Sequence, residues 1–196
     1  MTTYQIQGNP LNTLPFATLN GQITAFDQTT GIFTWAPNSN YIGTADEFTY
    51  ELLCDGIVTD SALVNIEVTA PTANTSITNS LGGVANLTPV CGSTNSYLAN
   101  ISFTPAATLT PITYLWSVTS GGAITGSNSA ASVDVTTNTG FTGTYTLTVD
   151  ITTPIGVFTK SIVFDVQCAT AVNDSVTTLV NTPVTFNVST NDTPCS

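Results

Sequence analysis

Short runs of alternating apolar and polar residues follow one another along the whole chain. Val, Ile, Thr, Phe and Tyr fill these runs, and turn residues separate them at intervals of roughly ten residues. No window of about 11 residues carries the 3.6-residue apolar period of a helix. The pattern predicts an all-β protein built from antiparallel β-sandwiches. The clearest predicted strands are 31–37, 47–52, 61–68, 112–118, 132–135, 143–150 and 160–166.

Proline and small polar residues divide this pattern into two modules and a fragment. The first predicted module, 1–70, ends where the proline-containing segment 70–75 interrupts strand pairing. The second, 71–168, ends at Cys168. The remaining segment, 169–196, has the pattern of one or two further strands. Such a lone pair of strands has no core in which to bury its apolar side chains.

Composition removes several classes of function. Only 7% of the 196 residues are charged, Lys160 is the single cation, and the net charge is −11 with no histidine. The chain therefore has no basic patch for nucleic acid or for an anionic membrane. Histidine-based catalysis is excluded, so we do not expect an enzyme. At 41% hydrophobic the chain is too apolar to be a disordered polyanion.

Targeting signals are absent from the sequence itself. The start has neither a basic region nor an apolar core of a signal peptide, and no apolar run approaches about 18 residues, so membrane insertion is not expected. The four cysteines form no CxxC pair and have no neighbouring histidine, which argues against zinc. Widely spaced cysteines in a lysine-poor chain favour disulfides. The start of the chain fits two alternatives, a chain that is not exported and a piece of a longer exported chain. The cysteines favour an oxidising compartment, so we expect an extracellular protein.

The first module resembles a known repeat. Its motifs follow the patterns G-x-F-x-Y-x-P, N-Y-x-G-x-D-x-F-x-Y, D-G and A-x-V-x-I-x-V of the later two-thirds of bacterial Ig-like, cadherin-like repeats. They occupy 30–37, 40–50, 54–56 and 62–68. Trp35 stands where those repeats have tyrosine, and Ala45 is a one-residue shift between Thr44 and Asp46.

The rest of the chain carries two further resemblances. The middle module is similar to PKD-like sandwiches through 113–118, 121–124 and 143–149. The tail resembles the opening third of the cadherin-like repeat through 171–175, 181–188 and 191–193. These resemblances imply tandem modules of giant surface adhesins of Bacteroidota, such as the gliding-motility adhesins. They further imply a structural or adhesive role at the cell surface. The implied partners are other copies of the unit, and glycans or surfaces that other parts of the parent protein bind.

The order of the pieces suggests how units connect. The tail 169–196 and the head 1–70 together have about 98 residues, the size of one Ig-like sandwich. We expect the tail of one unit to complete the first module of the next, either by donor-strand pairing between chains or within a covalent tandem repeat. A head-to-tail contact of this kind produces an open filament.

The cysteines fit this arrangement. Cys91 and Cys168 lie near the start and the end of the middle module, so an intradomain bridge is expected. Within one chain that module separates Cys54 from Cys195, whereas Cα atoms of bridged cysteines lie within about 7 Å. The sequence therefore predicts a bridge between Cys54 and Cys195 of successive units.

Three further functional hypotheses each have a simpler structural interpretation. A calcium site could draw on the oxygen-bearing side chains Asp46, Glu47, Asp55, Asp60, Asn173 and Asp174. No dense acidic run connects them, so solvated turn residues and no cofactor are expected. Trp35 and Trp116 could stack on sugars, but aromatic residues in sandwich strands more often form the core. Lys160 could form an isopeptide bond, although an edge-strand charge is favoured.

Two serines match a modification motif. Ser61 and Ser175 each follow an aspartate and precede an apolar residue, which resembles the short O-glycosylation motif of Bacteroidota. Two other classes of function remain open for the chain as a whole. One is a virion fibre or capsid-decorating protein, and the other is a carbohydrate-binding module of a secreted enzyme. A genomic neighbourhood of capsid genes would select the former, and glycan-array binding by 1–168 the latter.

Overall fold

The computed structural model describes residues 1–193, apart from the side chains of residues 44 and 45. Antiparallel strands make up the regular structure of this part of the chain, which confirms the expected all-β class with tandem sandwiches. The strands are β1 (Thr2–Ile6), β2 (Phe16–Ala17), β3 (Gly21–Phe26), β4 (Phe33–Pro37), β5 (Gly43–Cys54), β6 (Ile57–Val68), β7 (Thr72–Asn79), β8 (Thr94–Thr104), β9 (Thr113–Val118), β10 (Gly122–Thr125), β11 (Ser132–Thr137), β12 (Gly143–Thr153) and β13 (Gly156–Val166).

The strands belong to two compact units. The first contains Met1–Thr72 together with Thr104–Pro111, and the second contains Ala73–Phe103 with the chain from Ile112 onward. Within the first unit, the Asn40 side-chain amide donates a 2.6 Å hydrogen bond to the carbonyl oxygen of Thr110. The module boundaries expected from the sequence, at 70/71 and 168/169, stay predictions.

The first unit is a sandwich of two three-stranded sheets. One sheet has the order β1-β5-β6, and the other has the order β2-β3-β4. We call the first the larger sheet and the second the smaller sheet, because β5 and β6 are the longest strands of this unit. A two-residue turn joins the long hairpin β5–β6, and both of its residues, Asp55 and Gly56, have positive φ. Asp-Gly favours this turn because both positions must adopt the left-handed conformation that matches strand twist.

The shift seen at Ala45 in the sequence is a β-bulge. The register of β5 against β6 changes between the pairs Thr44–Glu67 and Asp46–Ile66, so Ala45 is the extra residue. A bulge of this kind accommodates one inserted residue without reversing the faces of the rest of the strand pair. The strand β5 therefore keeps Phe48 and Tyr50 on the same inner face as Asp46.

Trp35 is partly buried in the first sandwich. Its ring lies over Gly21, where an added Cβ would come 2.4 Å from the ring. Its indole N–H donates a 3.0 Å hydrogen bond to the Thr18 hydroxyl. The tryptophan therefore packs against the smaller sheet, as its place in a strand predicts.

The second unit has a larger core. Its sheets have the orders β10-β11-β8-β7 and β13-β12-β9. Trp116 is 1% exposed, and its indole N–H donates a 2.9 Å hydrogen bond to the carbonyl oxygen of Ala130. The Phe164 ring packs 4.9 Å from the ring centres of both Tyr97 and Tyr145. Burial raises the pKa of both tyrosine hydroxyls, which keeps them neutral at physiological pH.

A disulfide joins the two ends of this second sandwich. Cys91 and Cys168 are bonded, with their Cα atoms 5.2 Å apart. Beside the bridge, the Cys91 N–H donates to the Gln167 carbonyl at 3.0 Å, and Val90 forms a parallel bridge with Gln167. The intradomain pairing expected from the sequence is therefore present, and a disulfide fits an extracellular protein.

The tail, residues 169–193, differs from its sequence pattern. The structure assigns no strand to these residues, although the sequence predicts strands near 175–180 and 183–188. Two 2.9 Å backbone hydrogen bonds between Thr170 and Thr193 hold its ends together. A strand needs a hydrogen-bonded neighbour, and the rest of this segment makes few contacts within the described part of the chain.

Candidate strand-acceptor site

Each sheet of the first sandwich has two edge strands. They are β1 and β6 in the larger sheet and β2 and β4 in the smaller one. Tyr4 of β1, Val64 of β6 and Phe33 of β4 all line the same cleft between the sheets. An edge strand offers unpaired N–H and C=O groups to another strand.

This cleft lies between the two sheets of the first sandwich, and most of its lining residues are aromatic or aliphatic. It has a volume of about 220 Å³. The residues of the larger sheet that line it are Tyr4, Phe48, Tyr50 and Val64, and those of the smaller sheet and its turn are Phe26, Thr30, Gly31 and Phe33. The Phe33 and Phe48 rings meet edge to face at 5.0 Å at its base.

The cleft continues along the inner face of the larger sheet. A further depression of about 150 Å³ shares Tyr4 and Tyr50 with the cleft and extends over Leu52 and Ala62. Alternation along β6 places Ala62 on the same face as Val64 and Ile66, yet Ala62 is exposed. The inner face of the larger sheet is therefore longer than the smaller sheet that covers it. We call this continuous cleft and depression the acceptor groove.

The opposite part of the sandwich is closed by Asp46. Its side chain is fully buried, and its carboxylate accepts hydrogen bonds from the Thr18 hydroxyl at 2.6 Å and from the backbone N–H groups of Leu19 at 3.1 Å and Asn20 at 3.2 Å. These donors lie in the turn between β2 and β3. Asp46 therefore fastens the smaller sheet to β5, and its oxygens are occupied by donors.

The core of the first sandwich is small. Of the described residues, three buried side chains form it, Ile6, Ile23 and Phe48, whereas thirteen form the core of the second sandwich. Hydrophobic burial is the main favourable contribution to folding, so a sandwich with so few buried side chains gains most from additional cover. The first sandwich therefore has more to gain from a partner strand than the second.

The tail carries the exposed apolar side chains of a partner strand. Seven of its apolar residues are exposed: Val172, Val176, Leu179, Val180, Val184, Phe186 and Val188. The last three alternate along the chain, which places them on one face of an extended segment. Asn181 has φ of 60° and the Thr182 N–H donates to the Leu179 carbonyl at 3.1 Å, so a tight turn lies between the two arms.

Most of the other residues singled out in the sequence are exposed. In residues 1–193 the structure forms no cluster of three metal-ligating side chains, and Asp55 and Asp60 are exposed in and beside the β5–β6 turn. Lys160 is exposed on β13, an edge strand of the second unit. Ser61 and Ser175 are both exposed, and their modification stays a prediction.

Cys54 is a free and exposed thiol at the end of β5. It is directly opposite Thr2 in the register of β5 against β1. The cysteine predicted to pair with it, Cys195, lies outside the described residues. That pairing therefore stays a prediction.

Sequence reasoning missed Tyr4 and the groove it lines. The signal was present in β1, where Thr2, Tyr4 and Ile6 alternate with polar residues, and Ile6 is fully buried. The short length of the run made it weaker than the strands that follow. Within residues 1–193 no helix has the length and apolarity needed to cross a bilayer.

Comparisons with known proteins add a likeness of architecture. No protein-family model matches the chain, and no curated protein matches it. It is similar to extracellular cadherin domains of protocadherin gamma B2, with 11% identity and a TM-score of 0.37 over 88% of this chain and 40% of that one. It is also similar to a β-glycosidase from Bacteroides vulgatus, with 12% identity and a TM-score of 0.36 over 84% of this chain and 21% of that one. A titin fragment gives 18% identity and a TM-score of 0.30 over 85% and 83%.

The chain thus spans less than half of the first two structures. The two antiparallel sandwiches described above define the class of this chain, a tandem β-sandwich protein.

Proposed function

We propose that the chain is a structural repeat unit of an extracellular filament or giant surface adhesin, in which the tail of one unit completes the first sandwich of the next. The observation that carries this proposal is the acceptor groove of a sandwich with unpaired edge strands, in a chain whose own tail carries exposed apolar side chains. Addition of the tail as a strand would pair the backbone of an edge strand and would cover the apolar side chains of both the groove and the tail.

Charge limits how such units can hold together. The head 1–70 contains seven of the twelve carboxylates, the tail contains two, and the one cation, Lys160, lies in neither segment. Ion pairs therefore contribute nothing to the attraction between head and tail. Backbone hydrogen bonds and apolar burial supply it, and added salt only screens a weak repulsion.

A disulfide between successive units would lock this contact. Cys54 is exposed and lies opposite Thr2 at the start of β1. A donor segment whose end approaches the start of β1 brings Cys195 to the neighbourhood of Cys54. The bridge would make each junction covalent under oxidising conditions, which suits a filament that bears tension.

The proposed role is mechanical and not catalytic. Units joined head to tail extend without closing into a ring, because the donor surface and the acceptor surface are different. The partner of each unit is a second copy or the next repeat of the same chain. Binding to a surface would then reside in other parts of the parent protein, at the cell exterior.

Light scattering on the full chain tests this assembly. In reducing buffer we expect the mean mass to rise with concentration and to change little between low and high salt. A variant that ends at residue 168 retains both sandwiches but lacks the tail, and should stay monomeric throughout. Full-chain monomers at high concentration, even under oxidising conditions, would overturn the proposal.

A further inference from the structure

The acceptor groove has two parts, and the part with the larger volume is also the part with more aromatic lining residues. Phe33, Phe48, Tyr4 and Tyr50 border the part that has a volume of about 220 Å³. A cavity of about 150 Å³ with an apolar lining is enough to hold benzene. This part of the groove is therefore large enough for one phenyl ring, and its lining offers that ring edge and face contacts.

The tail contains one aromatic residue, Phe186, to match it. The side chain is 44% exposed. It is flanked at alternate positions by Val184 and Val188, which are 48% and 61% exposed. Thr185 and Asn187 occupy the opposite face of the same segment. This segment, 183–188, would present a continuous apolar face with the ring at its centre.

The uncovered surface indicates which edge receives the segment. The exposed inner positions, such as Ala62, belong to the larger sheet, so the cover they lack belongs to the opposing smaller sheet. The edge strands of that smaller sheet are β2, with two residues, and β4, with five, so β4 offers the longer edge for pairing. A strand added beside β4 would extend the smaller sheet over Tyr50, Leu52 and Ala62.

The first residue of the segment suits a strand start. Pro183 has no N–H group to donate, and proline is tolerated at the first position of a strand or on an edge. The residues after it can form the ladder with β4. The same segment now lies exposed and unpaired in the tail.

From these observations we propose that 183–188 of one copy adds to β4 of a second copy and inserts the Phe186 ring into the groove between Phe33, Phe48 and Tyr50. This inference rests on the proposed function and specifies its partner surface. Phe186 is then the anchor of each junction, because it is the largest apolar side chain that the tail brings to the contact.

Sedimentation of full-length variants in reducing buffer tests the anchor. Phe186→Ala is expected to raise the dissociation constant between copies by about 30-fold or more, in line with the loss of a buried aromatic anchor. Thr185→Ala is the matched control, since its side chain would face away from the groove, and it should change the constant less than about threefold. Neither change touches a buried side chain of the free chain.

A second variant blocks the groove from the acceptor side. Ala62→Trp places a large side chain on an exposed position of β6 and should weaken assembly to a similar degree as Phe186→Ala. If the unaltered chain assembles and both variants assemble equally well, the anchor is wrong while head-to-tail assembly stands. If the unaltered chain does not assemble, both the anchor and the proposed function are wrong.

Discussion

Replacing Asp46 with alanine is expected to unfold the first sandwich at temperatures where the second remains folded. The carboxylate is fully buried and accepts hydrogen bonds from Thr18, Leu19 and Asn20, which lie in the turn between β2 and β3. Alanine would leave these three donors of a part-buried turn without their charged acceptor. At about 1 to 3 kcal/mol for each such group, we expect a loss of about 3 to 5 kcal/mol in the free energy of unfolding.

Urea unfolding followed by circular dichroism and tryptophan fluorescence measures this loss. Trp35 reports on the first sandwich because it donates to Thr18. Trp116 reports on the second because it is buried in that core. Asp60→Ala is the control, since Asp60 is exposed, and it should change stability by less than about 0.5 kcal/mol. Equal effects of the two substitutions would show that Asp46 does not join the sheets.

The second large effect is expected from removal of the Cys91–Cys168 bridge. The bridge closes a loop between residues 77 positions apart. In the chain-entropy description, a loop of this length contributes about 4 kcal/mol to stability. The double variant Cys91→Ser, Cys168→Ser should therefore lower the Tm of the second sandwich by about 20 °C, given about 4–8 °C per kcal/mol for a domain of this size.

The free cysteine provides the control for that experiment. Cys54→Ser removes an exposed thiol of the first unit and should leave the Tm of the second sandwich unchanged. Calorimetry on both variants compares the two transitions directly. A shift of only a few degrees in the double variant would mean that the backbone hydrogen bonds from Cys91 to Gln167 and from Gln167 to Pro89 already hold these two segments together.

The strongest sequence patterns predicted their strands well. β5 and β6 contain the predicted runs 47–52 and 61–68, and β12 and β13 contain the runs 143–150 and 160–166. Long apolar–polar alternation in Val, Ile, Thr and Tyr fits a half-buried strand and does not fit a helix. Shorter or polar strands were missed. The two-residue β2 depends on pairing with β3 and leaves no periodicity to read.

The site could be predicted only in outline. Matching the tail to the opening third of a repeat indicates that the head lacks strands, but it does not locate the surface where they would bind. That surface depends on Tyr4 from β1 and Tyr50 from β5 meeting across the sheet, with ring centres 6.2 Å apart. In the tail, by contrast, the sequence predicts strands that the structure does not contain. A segment with a strand-like pattern forms a strand only when an edge is available to pair with it.

Directional cross-linking between two partners, each keeping one of Cys54 and Cys195 beside the Cys91–Cys168 bridge, tests head-to-tail completion most directly. One full-length chain carries Cys195→Ser and keeps Cys54, and the other carries Cys54→Ser and keeps Cys195. The two are mixed under oxidising conditions at equal concentration, and the products are identified by intact mass and peptide mapping. Completion of one unit by the tail of the next predicts a mixed dimer joined through Cys195 and Cys54, formed in preference to either homodimer. Monomers alone, or homodimers and mixed dimers in random proportion, would contradict it.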